Sequence, residues 1–264
     1  MSGTEAEFES IAVEAALAGG TVLRRRFAGR ADLSIEVKAK HDYVTEVDRE
    51  AEAAVVAVLR RRAPGHAILA EEGSGGGDSP YRWIVDPLDG TTNFLHGVPT
   101  FAVSVGLEDE QGLVAGCVFD PSRGESFHAH RGGGAFLNGE PISCTQLDHL
   151  DAALIATGFP FREMDRLPEY LAAFERFVRS TSGLRRAGAA SLDLVYTACG
   201  RYDGFFEIGL SPWDLAGGAI VVMEAGGLVT DVHGGTGFLK DGSVVASGAR
   251  LHAAMLAITR ETLS

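Results

Sequence analysis

Cysteine is scarce in this 264-residue chain: Cys117, Cys144 and Cys199 are odd in number and lack the paired spacing of a metal site. No disulfide framework is expected, and the three read as reduced, mostly buried thiols of a cytoplasmic protein. No apolar run reaches the length of a membrane span, and the amino terminus is polar and acidic, so neither a transmembrane helix nor a signal peptide is expected. Positive charge is also short: 23 Lys and Arg stand against 36 Asp and Glu, a net charge of −13. Such a surface disfavours direct attraction to nucleic acid or to an anionic membrane. It also obliges an anionic substrate to find local positive charge, from metal ions or from a few placed Arg and Lys. There is no internal repeat and no linker rich in Pro or Ser. Glycine is plentiful, 34 residues, but dispersed at element ends.

The apolar residues that are present fall into two rhythms. Phe8, Ile11, Ala12, Ala15, Ala16 and Leu23 predict an amphipathic helix over about 5–28, with Thr4 as N-cap and Glu7 three residues on. A short extended piece over 42–45 leads into a helix over about 45–62, and a strand over 67–72 ends in the pair Glu71-Glu72 before a flexible glycine loop. Strands over 101–107, 112–119 and 125–130 read as antiparallel, with another hairpin over 131–139. His128 and His130 share one strand face; with no cysteine or third histidine nearby they read as exposed strand residues rather than a zinc site. The second half alternates strands over 152–158, 204–208, 228–231 and 244–247 with helices over 167–179, 190–199, 213–225 and 251–262. A short extended piece covers 184–188.

The stretch Trp83-Ile-Val-Asp-Pro-Leu-Asp-Gly-Thr-Thr-Asn-Phe94 organises the rest. Trp83 to Val85 read as the end of a buried strand. A buried strand should not end in two carboxylates unless something positive sits there. Pro87 lacks a backbone donor and fixes φ, so the strand is expected to break between Asp86 and Asp89. Two carboxylates three residues apart around a turn can converge on one point, and the carbonyl of Leu88 lies between them. An all-oxygen set of this kind suits Mg²⁺ better than zinc or copper. Gly90-Thr91-Thr92 follows, where backbone N–H groups can form an anion-binding nest at a helix start. Asp-x-x-Asp-Gly alone is ordinary turn chemistry; the whole string is far more specific. A second sharp signal is Ser211-Pro-Trp-Asp214, an acid at the opening of an apolar helix, where it would also complement the helix dipole.

These strings resemble the metal-binding signatures of the inositol monophosphatase family, Mg²⁺-dependent, lithium-sensitive phosphatases of small sugar and polyol phosphates. The resemblance runs from about residue 6 to 259. It implies a single domain over 1–264, an α/β fold built as a layered α-β-α-β-α sandwich. An antiparallel-sheet half, about 1–145, would precede a mixed α/β half, 146–264, with the site between them. It implies two or three Mg²⁺ ions held by Glu71, Asp86, the Leu88 carbonyl, Asp89 and Asp214. Asp48, in a family-like Asp-x-Val-Thr-x-x-Asp run behind Lys38, would steer Thr91 toward the attacking water. Gly90, Thr91 and Thr92 would hold the phosphate. Arg185, Gly188, Ala190 and Glu207 would hold the alcohol, with Ser191 departing from the small apolar residue the family suggests. Four such acids could not converge ionised without cations, because like charges raise each other's pKa.

The resemblance implies a homodimer acting on a small phosphorylated polyol, inositol 1-phosphate first. Histidinol phosphate, fructose 1,6-bisphosphate and adenosine 3′,5′-bisphosphate remain as rival substrates, although Thr92 stands where the histidinol-phosphate branch carries lysine. A binding or regulatory protein of the transcription machinery remains as a rival role, since some bacterial relatives associate with it.

Overall fold

A computed structural model of the chain describes residues 4–29, 35–39 and 42–263. Helix α1, Glu5–Ala28, starts where the sequence places it: Thr4 and Glu7 close a reciprocal capping box, and Phe8, Ile11, Ala12, Ala15, Ala16 and Leu23 are buried. Strands β1, Ile35–Ala39, and β2, Asp42–Thr45, pair antiparallel. β1 carries Lys38 and had no signal in the sequence; Lys40 and His41, between the two strands, lie outside the described residues. Helix α2, Glu46–Arg62, follows directly.

The next strands build a seven-stranded sheet in the order β3-β4-β5-β6-β7-β8-β9. They are β3 Ala67–Ala70, β4 Arg82–Asp89, β5 Ala102–Asp109, β6 Gly112–Asp120, β7 Glu125–His130, β8 Gly134–Leu137 and β9 Glu140–Ile142. Only β3 and β4 run parallel; the other neighbours are antiparallel. The short helix α3, Thr91–His96, interrupts the sequence between β4 and β5. A five-stranded sheet follows from β10 Leu154–Thr157, β11 Gly183–Arg185, β12 Gly204–Glu207, β13 Gly227–Thr230 and β14 Val244–Gly248, in the order β11-β10-β12-β14-β13. It is mixed, because β10 lies parallel to β11 and β12 while β14 opposes β12 and β13. Its helices are α4 Leu167–Ser180, α5 Ala190–Ala198, α6 Pro212–Glu224, the one-turn α7 Phe238–Asp241, and α8 His252–Thr262.

Side chains alternate across a strand, so each sheet needs cover on both faces. The seven-stranded sheet has α1 and α2 on one face and α6 with α5 on the other; the same two helices cover the five-stranded sheet, whose far face takes α4 and α8. The result is the layered α-β-α-β-α sandwich. Three apolar clusters fill the spaces between layers, and the central one takes in both faces of the α5–α6 layer, whose helices are buried along nearly their whole length. Among the described residues no helix is long and apolar enough to cross a membrane.

His128 and His130 are not the exposed strand residues the sequence suggests. Both rings are mostly buried, and each points its Nδ1 at Glu9 of α1, a partner 119 and 121 residues away. That contact ties the first helix to β7. The glycine-rich loop after β3 is also anchored at its base, since the buried Glu52 carboxylate accepts the N–H groups of Glu72 and Ser74 at 2.7 and 2.9 Å.

α6 crosses the seven-stranded sheet with almost nothing between the two backbones. A Cβ at Gly106 of β5 would fall 2.7 Å from the Ala216 Cβ and 2.9 Å from its carbonyl carbon. Gly106→Ala must push α6 off the sheet, an overpacking of about 1–3 kcal/mol. The urea midpoint should fall with little change in slope; an unchanged midpoint would contradict the close crossing.

Candidate metal and phosphate site

Residues three apart on an unbroken strand project from opposite faces. β4 escapes this at Pro87. Asp86 stands opposite Ser104 of β5 and Asp89 opposite Ala102, so three steps on one strand match two on the other. The chain bulges here and continues to Asp89, where the sequence reading expected a break. A bulge needs no ladder donor from Pro87, and its extra residue turns Asp89 to the side of Asp86. The Leu88 N–H donates to Asp86 Oδ1 at 2.9 Å, which fixes that carboxylate.

Asp214 arrives from the second half of the chain. It is the third residue of α6, and its Oδ2 accepts the Ser211 N–H at 2.6 Å in a capping box. Oxygens of Asp86, Asp89 and Asp214 all lie within 4.8 Å of one another, and the three residues are 1%, 7% and 6% exposed. Burial, then the neighbouring Glu71, Asp89 and Asp214, push the Asp86 carboxyl well above the ordinary carboxylate range. Burial and Asp214 push Asp89 up to about 6, although hydrogen bonds from Ser191 and Ala190 pull the other way. A buried cluster of carboxylates with a carbonyl beside it fits a hard divalent cation such as Mg²⁺. Glu71, just past β3, lines the same cavity but stands outside the close triad.

Asp48 sits buried in the first turn of α2, behind Thr91 and outside the cavity. The Thr91 Oγ1 lies 3.2 Å from Asp48 Oδ1 and 3.0 Å from the Leu88 carbonyl, so its single proton can go to either. Gly90 caps α3 at φ 90°, and a Cβ there would also fall 2.8 Å from the Thr100 carbonyl. The opening N–H groups of a helix have no partner within it, and Gly90, Thr91 and Thr92 face the cavity.

That cavity measures about 510 Å³, and Gly188, Ala190 and Glu207 also line it. Burial pushes the Glu207 carboxyl up to about 8, against the pull of the Arg186 guanidinium. Arg186, not Arg185, lines the cavity. Arg185 ends β11 and donates to the Leu184 carbonyl at 2.9 Å. The Arg186 guanidinium lies over Phe159 and Phe161, 5.0 and 5.4 Å from their ring centres. Neighbours on an extended chain point opposite ways, so the Arg-Arg pair could not by itself say which one faces inward.

Other side chains here had no role assigned from the sequence. Ser191, which read as a departure, uses its N–H at 2.8 Å and its hydroxyl to hold Asp89 Oδ2, which explains a polar residue there. The Asn93 amide donates to the carbonyls of Thr100 and Ala187 at 2.8 and 2.9 Å, tying α3 to the segment that bears Gly188. Arg162 reaches Asp214 from the segment after β10. Asp193 of α5 is buried with neither carboxylate oxygen hydrogen-bonded, and burial, with Glu207 and Asp89 nearby, pushes its carboxyl well above the ordinary range.

This chain and its fold have close counterparts. The chain is 49% identical over 253 residues to the Nus factor SuhB of Pseudomonas aeruginosa, covering 94% of this chain and 93% of that one. It is 42% identical over 257 residues to an inositol-1-monophosphatase of Mesorhizobium japonicum, covering 97% of each. The crystal structure of the extragenic suppressor protein suhB from Bartonella henselae superposes with a TM-score of 0.92 at 39% identity, over 96% of this chain and 98% of that one. Residues 4–264 match the model of the inositol monophosphatase family, and with the layered sandwich and its buried acids in place, the chain belongs to that family.

Proposed function

We propose that this chain hydrolyses the phosphate monoester of a small cyclic polyol, inositol 1-phosphate before others, in the cytoplasm and as a homodimer, with two or three Mg²⁺ ions as cofactor. The observation that carries the reading is the buried triad Asp86, Asp89 and Asp214 in a cavity that Glu207 and Arg186 also line. Glu71, Asp86, the Leu88 carbonyl, Asp89 and Asp214 would hold the metal, and because they come from both halves of the chain, residues 1–264 are read as one domain. Bound Mg²⁺ supplies a water of lowered pKa and charge for the leaving oxygen. The chain's own groups do the rest. Asp48 and the Leu88 carbonyl orient the Thr91 hydroxyl, whose lone pairs are then available to the proton of an attacking water. Backbone N–H groups at Gly90 to Thr92 orient the phosphate. Glu207 accepts hydrogen bonds from substrate hydroxyls, Arg186 takes the role first expected of Arg185, and Gly188 and Ala190 leave room for a ring. Phosphate release over a panel in Mg²⁺ tests the substrate. Inositol 1-phosphate should lead in kcat/KM, and histidinol phosphate, fructose 1,6-bisphosphate or adenosine 3′,5′-bisphosphate in first place would overturn the choice.

A second reading is favoured by the relatives named Nus factor SuhB, at 49% identity in Pseudomonas aeruginosa. It gives the chain a place in the transcription machinery that does not need hydrolysis. The two roles separate at Asp89. Asp89→Asn removes a charge from the cluster without changing volume, so Mg²⁺-dependent phosphate release should disappear. Co-purification with transcription complexes should persist in the same folded protein. Near-normal phosphate release by Asp89→Asn would contradict the metal reading, and loss of both properties would tie the second role to the first.

The cluster also sets a pH dependence. Between the ordinary carboxylate range and about 6, folded Asp89 keeps protons that the unfolded chain has released. Raised carboxyls of this kind lower stability as pH rises through that window, and Asp86 acts in the same direction. His252, held down at about 4 by burial, works oppositely, so the informative quantity is the increment that Mg²⁺ adds. Mg²⁺ competes with protons for the same oxygens and scarcely binds the unfolded chain. The rise in melting temperature on adding Mg²⁺ should therefore grow from about pH 5 to about pH 8. An increment that is flat or shrinks over this range would contradict it.

A further inference from the structure

The Arg162 guanidinium stands among the acids. Arg162 Nη1 donates to Asp214 Oδ2 at 2.9 Å and to Ser211 Oγ at 3.2 Å, while its Nη2 lies 4.0 Å from Glu71 Oε1. The side chain thus spans from the start of α6 to the acid that follows β3, joining elements from the two halves of the chain. It is 44% exposed, so it reaches the cluster from the solvent side. Orientation of Asp214 does not require it, because the Ser211 N–H already holds Oδ2 at 2.6 Å. What Arg162 adds is a permanent positive charge against a cluster of four acids.

We propose that Arg162 is a resident counter-cation of this cluster, which eases its repulsion in the metal-free protein and competes with Mg²⁺ for Asp214 and Glu71. It thereby sets the Mg²⁺ concentration at which the site fills. The inference rests on the metal reading above. A merely orienting arginine would strengthen metal binding; a competing one weakens it, because a second cation must displace it or share its field. The polypeptide here carries its own brake on loading, on a side chain exposed enough to swing away once the metal has entered.

Calorimetric titration of the full-length, metal-free protein with Mg²⁺ alone separates these cases. Arg162→Met should bind Mg²⁺ roughly tenfold more tightly than wild type. It should melt at a lower temperature without metal, and gain more on adding it. Arg162→Lys, which keeps the charge, should stay close to wild type in all three. Arg162→Gln provides a second neutral variant, and circular dichroism checks the fold of each. Wild-type binding with equal or weaker binding in both neutral variants would overturn the inference while leaving the metal site intact. A wild type that takes up no Mg²⁺ at any concentration would overturn the metal site and the inference together.

Discussion

Asp86, Asp89 and Asp214 repel one another where all three are buried, and much of the fold around them is arranged to hold that repulsion. The penalty for an uncompensated buried carboxylate is several kcal/mol, comparable with the whole net stability of a domain. Each acid is accordingly tied down by backbone N–H groups: Leu88 for Asp86, Ser191 for Asp89, Ser211 for Asp214. Fixed in this way, the carboxylates keep oxygens turned toward one point. Such a cluster is poor as a stabilising device and well suited to drawing in a divalent cation, and with it the phosphate of a substrate the protein's net charge of −13 would otherwise turn away.

The layers supply the distances. α5 and α6 form the shared middle layer, so the first turns of both helices open beside the bulge of β4. α5 brings Ser191 and α6 brings Asp214. The near-bare contact of α6 with β5 sets how far Asp214 stands from Asp86, and the bulge at Pro87 sets how Asp89 stands to both. Asn93 joins α3 to the segment with Gly188, so these two parts of the cavity lining are one connected structure.

Much of this was legible in the sequence, and the limits of legibility have a physical pattern. Asp86, Asp89, Asp214 and the Gly90 turn sit in short strings whose chemistry is local, and they stand together as expected. The capping box of α1 is local too. What escaped notice depends on contacts between distant residues or on a choice the local sequence leaves open. Arg185 and Arg186 differ only in which face of an extended chain they occupy. Ser191 made sense only once Asp89, 102 residues away, was seen against it. His128 and His130 read as exposed because their partner, Glu9, lies at the other end of the chain segment. Pro87 correctly marked a disturbance in β4, but a proline forbids a ladder donor whether the strand ends or bulges, and only the pairing of Asp89 with Ala102 distinguished them.

Anomalous diffraction from crystals grown with Mn²⁺, a hard cation that accepts the same oxygen ligands as Mg²⁺, tests the central claim most directly. The account predicts strong peaks among Glu71, Asp86, Asp89 and Asp214, with the Leu88 carbonyl in the coordination sphere and the protein fold otherwise unchanged. Crystals saturated with Mn²⁺ whose anomalous map is empty between these acids, or whose peaks lie only elsewhere on the surface, would contradict it.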